Sequence, residues 1–206
     1  MLHHGETAIG GGGGRTDPGA GRRSLSGVCE HALLARHCNA DQDLRGIDDL
    51  LRWAETTERL PPAMVQHFAA RWHDEPGAIF SEAIALRETI FRCFAATASQ
   101  RAPAEPDIAS LNAALTRAPP RQRVCRGGWD VGAPEPSASA LLAPALWSAA
   151  DLLVGNQLAR VRQCANPECS WLFLDNSKSG NRRWCSMSAC GNRAKAHRHY
   201  VRSKDR

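Results

Sequence analysis

Over much of the chain the apolar positions repeat with helical spacing. From Val28 onward the pattern is helical: Leu44, Ile47, Leu50, Leu51, Trp53 and Ala54 recur three and four residues apart. So do Ile79, Ala83, Ile84, Leu86, Ile90, Phe91 and Phe94, in a longer segment beginning near Pro76. At about 100° per residue such positions gather on one face, so each run predicts a helix with one buried stripe. Pro61 and Pro62 start another helix, running to about Trp72, because the fixed φ and missing N–H of proline are harmless in a first turn. Ile108, Leu111 and Leu115 predict a short helix ended before Pro119. RQRVCRGGWDVG, residues 121–132, reads as a β hairpin turning at Gly127 and Gly128. A last helix of this region is predicted from about Ala140 to Val161, with Leu141, Leu142, Leu146, Trp147, Leu152, Leu153 and Leu158 inside and Pro144 in its first turns. The expected body, residues 28–159, is therefore mostly α with one small β hairpin.

The two ends read differently. Residues 1–27 are rich in Gly with scattered Arg and Ser, a composition that cannot offset the entropy of ordering, and predict a flexible leader. Gly10 to Gly14 do not make a phosphate loop, since no Gly-Lys-Ser/Thr follows and no apolar strand precedes them. No stretch approaches the roughly 18 apolar residues of a membrane helix, and the N-terminus lacks the apolar run of a secretory signal. These features predict a cytoplasmic protein with no membrane partner. Of its 206 residues 43% are hydrophobic, enough for a packed core. In a reducing compartment its eight cysteines are metal ligands or thiols before they are disulfides.

Four of those cysteines have ligand spacing. Four residues separate Cys164 from Cys169, fifteen separate Cys169 from Cys185, and four separate Cys185 from Cys190. Two close pairs with a spacer suit one tetrahedral Zn(2+) held by four thiolates. A site of four thiolates leaves no position for water, so the ion is structural rather than catalytic. The spacer is long enough for a hairpin, with Leu172 to Asp175 and Arg182 to Trp184 as strands and Asn176 to Asn181 as the loop. The segment from residue 160 has few large apolar groups, too few to fold alone, so metal binding supplies its folding energy. Cys29, His31, His37 and Cys38 share no single helical face and predict no second site. Cys93 and Cys125 stand alone and read as small apolar core groups.

Charge sets the same segment apart. Residues 160–206 carry eleven Lys or Arg against three acids, whereas the chain as a whole has a net charge of only +5. A basic module that meets a polyanion, joined to a nearly neutral body, has this asymmetry. Ser188 is a good N-cap for a final helix from Ala189 to about Ser203. On it Cys190, Ala194, His197 and Val201 form one stripe, expected to pack toward the metal. Lys195, Arg198, His199, Arg202 and Arg206 form another, expected to face out. Lys178, Arg182 and Arg183 add a second cationic patch. His197 reads as a core group near the site and His199 as a phosphate contact. Arg193, beside the metal-facing stripe, either touches phosphate or braces the zinc turn.

The run CANPECSWLFLDNSKSGNRRWCSMSACGNRAKAHRHY, residues 164–200, resembles the CGNR zinc finger, named for the residues here at Cys190, Gly191, Asn192 and Arg193. Upstream, RWAETTERL, AIALRETIFRCFAA, DIASLNAAL and LWSAADLLVGNQLARVRQC resemble the ABATE domain that precedes this finger in bacterial stress-induced transcription regulators. The resemblance implies a treble-clef-like finger, hairpin plus basic helix, over residues 160–206, and a mainly helical domain that senses a ligand. In one place the chain departs from the family: an opening apolar strand is replaced by VCEHALLARHCNA, residues 28–40.

These readings lead to one expectation and two competitors. The expected function is transcription regulation, with double-stranded DNA bound through Lys178, Arg182, Arg183, Arg193, Lys195, Arg198 and Arg202 and a small-molecule effector met by the helical domain. The alternative is a zinc-dependent protein-docking module whose cations only keep it soluble. Catalysis is not expected, because Leu172 to Asp175 supplies no general-base histidine and both late histidines sit far along the helix. A homodimer through the body is left open, although no heptad pattern argues for it.

Overall fold

The computed structural model describes residues 44–56, 60–72, 76–121, 123–125, 128–130 and 135–204. The leader, the 28–40 segment with its Cys and His residues, and Arg206 lie outside the described residues. Of the hairpin around residue 127 only the two strand backbones are described.

Four helices open the body, and local chemistry sets their starts. Helix α1, Ile47–Thr56, begins with Asp48 and Asp49 in its first turn, where acids favour the positive end of the helix dipole. Asp49 also accepts from the Arg45 N–H at 3.0 Å. Proline stands in the first turns of α2, Pro62–Arg71, and α4, Glu105–Arg117. Between them runs α3, Pro76–Ala98, the longest helix among the described residues, which packs against α1, α4 and α5. Helix α5 is a single turn, Ala138–Leu141, capped by the Ser137 hydroxyl, which accepts from the Ala140 N–H; α6 follows as Ala143–Val154. Phe68, Ile90, Phe94, Leu141, Leu142 and Leu146 are all fully buried in one core among these elements. An ion pair of 2.7 Å between Arg92 and Asp107 ties α3 to α4 at the surface.

The predicted Ala140 to Val161 helix is broken twice. Pro144 has no N–H to continue the ladder, so the helix divides at Leu142. It ends at Gly155, where a Cβ would come within 2.6 Å of the Asp151 carbonyl oxygen, a backbone approach that only glycine permits. Leu158 instead sits in a one-turn 3-10 helix, Leu158–Arg160, and Val161 opens a strand. The hairpin of β1, Arg123–Cys125, and β2, Gly128–Asp130, is antiparallel with Cys125 opposite Gly128, so Gly128 lies in the ladder rather than in the turn.

Strands β3, Val161–Gln163, and β4, Leu172–Leu174, form a second antiparallel pair with Val161 opposite Leu174. This replaces the expected pairing of Leu172–Asp175 with Arg182–Trp184. Val161, at 3% exposure, supplies an apolar face that joins Leu172 and Leu174 in the body core against α3. The Arg182 N–H is bonded by the Asp175 carboxylate, which removes a donor that a strand there would have used. Helix α7, Asn192–Lys204, closes the structure.

Candidate metal centre

The first cysteine pair sits on the turn that joins β3 to β4. The Cys164 N–H donates to the Trp171 carbonyl at 2.9 Å, extending the ladder by one rung, and the Cys169 N–H donates to the Asn166 carbonyl at 2.9 Å. Asn166, buried, holds the turn from inside: its Oδ1 accepts from the Glu168 N–H, and its Nδ2 donates to the Cys190 sulfur at 3.6 Å.

The second pair is placed by a different device. Ser186, extended at φ −148° and ψ 133°, caps the helix, its hydroxyl accepting from the Ala189 N–H. The expected cap, Ser188, lies inside the first turn, its hydroxyl 2.8 Å from that of Ser186. That turn, Met187–Gly191, is a wide π turn closed by the Gly191 N–H donating to the Ser186 carbonyl at 3.0 Å. Cys185 stands before the extended Ser186 and Cys190 inside the wide turn, an arrangement that brings their sulfurs to 3.7 Å.

The four ligand atoms lie within 4.8 Å of one another. Cys169 to Cys185 and Cys185 to Cys190 are each 3.7 Å between sulfurs. A tetrahedral ion at a Zn–S length of about 2.3 Å needs sulfurs about 3.8 Å apart, so the cluster has the size of a zinc site. Cys164, Cys169 and Cys190 are buried and Cys185 half-buried, with Trp171 and Trp184 covering them. Burial pushes the Cys185 thiol well up, and hydrogen bonds with the Cys190 and Cys164 thiols push it further. A dication reverses that shift, because a coordinating thiol is held in the thiolate form. The donor set therefore fits zinc.

Cys190 to Arg193 each take part in the centre. Cys190 belongs to the cluster. A Cβ on Gly191 would come within 2.7 Å of the Met187 sulfur and 3.4 Å of the Trp184 ring, so the glycine leaves room for both side chains. The Asn192 side chain donates to the Ser188 carbonyl at 3.3 Å, and Arg193 pairs with Glu168 of the first turn at 3.7 Å. Arg193 thus reaches the first cysteine turn through an exposed ion pair, with its guanidinium open to solvent.

Two other residues hold the centre in ways the sequence did not disclose. Asp175, fully buried, accepts from the Ser177 N–H at 3.0 Å, the Ser177 hydroxyl at 2.6 Å and the Arg182 N–H at 2.9 Å. These bonds, the Ser177 hydroxyl first, hold its carboxyl below the usual carboxylate range against the opposing effect of burial. The signal was an acid followed two residues on by serine, an Asx-turn pattern. Arg182, expected on a DNA-facing strand, lies in a loop and stays exposed while bonding the second cysteine turn. Its guanidinium lies 4.7 Å from the Phe173 ring centre and donates to the Trp184 carbonyl and, in a short contact, the Cys185 carbonyl.

All seven predicted DNA contacts stand in solvent: Lys178, Arg182, Arg183, Arg193, Lys195, Arg198 and Arg202 are exposed, with Arg183 over the Trp184 ring. Helix α7 buries no residue. The stripe expected to face the metal therefore reduces to Cys190 and half-buried Ala194, while His197 and Val201 are exposed. Beyond Ala194 every described residue of α7 is exposed, and His197 does not belong to the cluster. His199 is likewise exposed.

A family model described as "CGNR zinc finger" matches residues 160–203, and one named ABATE, described as "Putative stress-induced transcription regulator", matches residues 30–156. No curated protein matches the chain. Together with the sulfur geometry, the first match makes the cluster the site of one structural zinc ion. Among the described residues no helix is long and apolar enough to cross a membrane.

Proposed function

Because the chain belongs to the ABATE family and ends in a CGNR zinc finger, we propose that it is a transcription regulator that binds double-stranded DNA through the basic face of α7 and senses a small molecule with its helical body. The carrying observation is that α7 buries no side chain although the cysteine cluster anchors its base. A helix so little covered is available to something outside the molecule, and here it presents Lys195, Arg198 and Arg202 to solvent. Those three are the candidates for the major groove, with Lys178 and Arg183 as phosphate contacts. Arg182 and Arg193, also exposed, remain candidate phosphate contacts that bond or pair with the cysteine turns as well. On this reading the protein is a binder and performs no reaction, and its working units are the 28–159 body and the 160–206 finger.

Duplex DNA affinity measured across a salt series tests the reading. The expected result is a steep loss of affinity with salt, as counterions released from phosphates are driven back. Replacing Arg198 and Arg202 with Glu should weaken binding at least 10-fold; affinity that ignores salt and survives both changes ends the proposal. A protein-docking finger is the second reading, favoured by Met187 and Tyr200, which are 53% and 63% exposed. Protein binding that survives the same charge reversal, with DNA binding absent, would establish it.

A further inference from the structure

Where the body meets the finger, a cleft of about 620 Å³ opens between the C-terminal end of α3, the turn after α6 and the first finger strand. Its size falls in the range of small-molecule sites. Its polar lining comes from both parts of the chain: Thr97, Gln100 and Arg101 from the α3 end, Asn156 from the turn, and Arg162 from β3. No carboxylate lines it among the described residues.

The α3 end is built in an unusual way. Gln100 has φ 57°, the only positive value at a non-glycine among the described residues. The turn is closed by the Gln100 N–H donating to the Thr97 carbonyl and the Arg101 N–H to the Ala96 carbonyl, each at 2.9 Å. A left-handed residue here is ordinarily glycine or asparagine, so this turn keeps a long carboxamide at the cleft at some conformational cost. Across the cleft, Arg162 is half-buried and oriented by donating from NH1 to the Ala159 carbonyl at 2.9 Å. Asp175, the acid that interacts with Arg162 through space, already accepts three hydrogen bonds of its own.

We propose that this cleft binds a small organic anion carrying a phosphate or carboxylate, held by Arg101 and Arg162, and that occupancy is passed to the finger along β3. Guanidinium forks match both groups in geometry and charge, and Gln100, Asn156 and Thr97 supply neutral hydrogen-bonding partners for the remainder of the ligand. Arg162 stands opposite Phe173 in the ladder and two residues before Cys164, so fixing its side chain restrains the strand that carries the first metal ligand. The proposal rests on the reading of the body as a sensing domain and gives that sensor a site and a ligand class.

Isothermal titration of the zinc-loaded full chain with adenosine monophosphate, succinate and inorganic phosphate tests it, with Arg101→Gln and Arg162→Gln beside the parent. At least one organic anion should saturate at one per chain, and each substitution should weaken it at least 10-fold with zinc content unchanged. Arg101 lies outside the finger, so its variant keeps the test valid if Arg162→Gln disturbs folding. Occupancy should also slow amide exchange across residues 161–174, a readout that needs no DNA. No saturable binding, saturation by inorganic phosphate alone, or binding indifferent to Arg101→Gln overturns the site; binding without slowed exchange overturns the transmission. If Arg101→Gln weakens DNA binding as much as charge reversal on α7, the cleft is part of a DNA track instead. Anion binding in a protein that ignores DNA would keep the cleft and remove the DNA reading, and the converse result would do the reverse.

Discussion

The helical body and the finger reach a defined structure by opposite means. In the body, side chains such as Phe68, Phe94 and Leu146 leave water completely, and each helix is held because its apolar stripe is covered. In the finger, α7 covers nothing, and its position follows from Cys190 at its base and the bonds that aim Cys185 and Cys169 at the same point. Apolar burial spreads stability over many contacts, whereas coordination concentrates it in four atoms. The β3–β4 pair belongs to both, since Leu172 and Leu174 lie in the body core while the turn between the strands carries the first cysteine pair. The finger is therefore not a module on a tether: one face of its hairpin is part of the body.

Removing the metal should divide the two regimes most sharply. Chelation, or Cys169→Ser, should cost the finger on the order of 10 kcal/mol, the typical worth of a structural zinc, and melt α7 while the body still unfolds cooperatively. Zinc content by mass spectrometry and amide exchange across residues 164–204 would show it; a body that unfolds together with the finger would mean that the regions are one unit. Phe94→Ala should cost about 3–5 kcal/mol through the cavity it leaves in the core. Its midpoint in denaturant should fall with one zinc still bound per chain.

Leu172→Ala tests the shared hairpin. It should cost about 2–5 kcal/mol in the body and also speed zinc loss to a chelator, which Phe94→Ala should not do. A smaller effect is expected from pH. The Asp175 carboxyl is held below its ordinary value in the folded chain, so its contribution is present above that ordinary value and lost as pH falls through the lowered one. Asp175→Asn should thus be less stable than the parent at neutral pH, with the gap closing as acid protonates the parent; a gap constant with pH would discount the carboxylate. Smallest of all, Val201→Ala on exposed α7 should change stability by no more than about 0.5 kcal/mol.

The sequence alone determined what depends on spacing along the chain. The helical stripes, the prolines that start α2 and the two cysteine pairs are all local patterns, and each reappears as an element or a cluster. Tertiary structure decided which segment pairs with which. β4 takes β3 as its partner because Val161 carries an apolar face into the body core, a gain that exists only when α3 is there to receive it. Exposed Arg182 bends over the second cysteine turn because the Phe173 ring and the carbonyls of that turn stand within its reach, and Asp175 is buried because loop N–H groups converge on it. A long cationic side chain looks the same in sequence whether it faces solvent or braces a turn. The difference lies in the neighbours that folding brings to it.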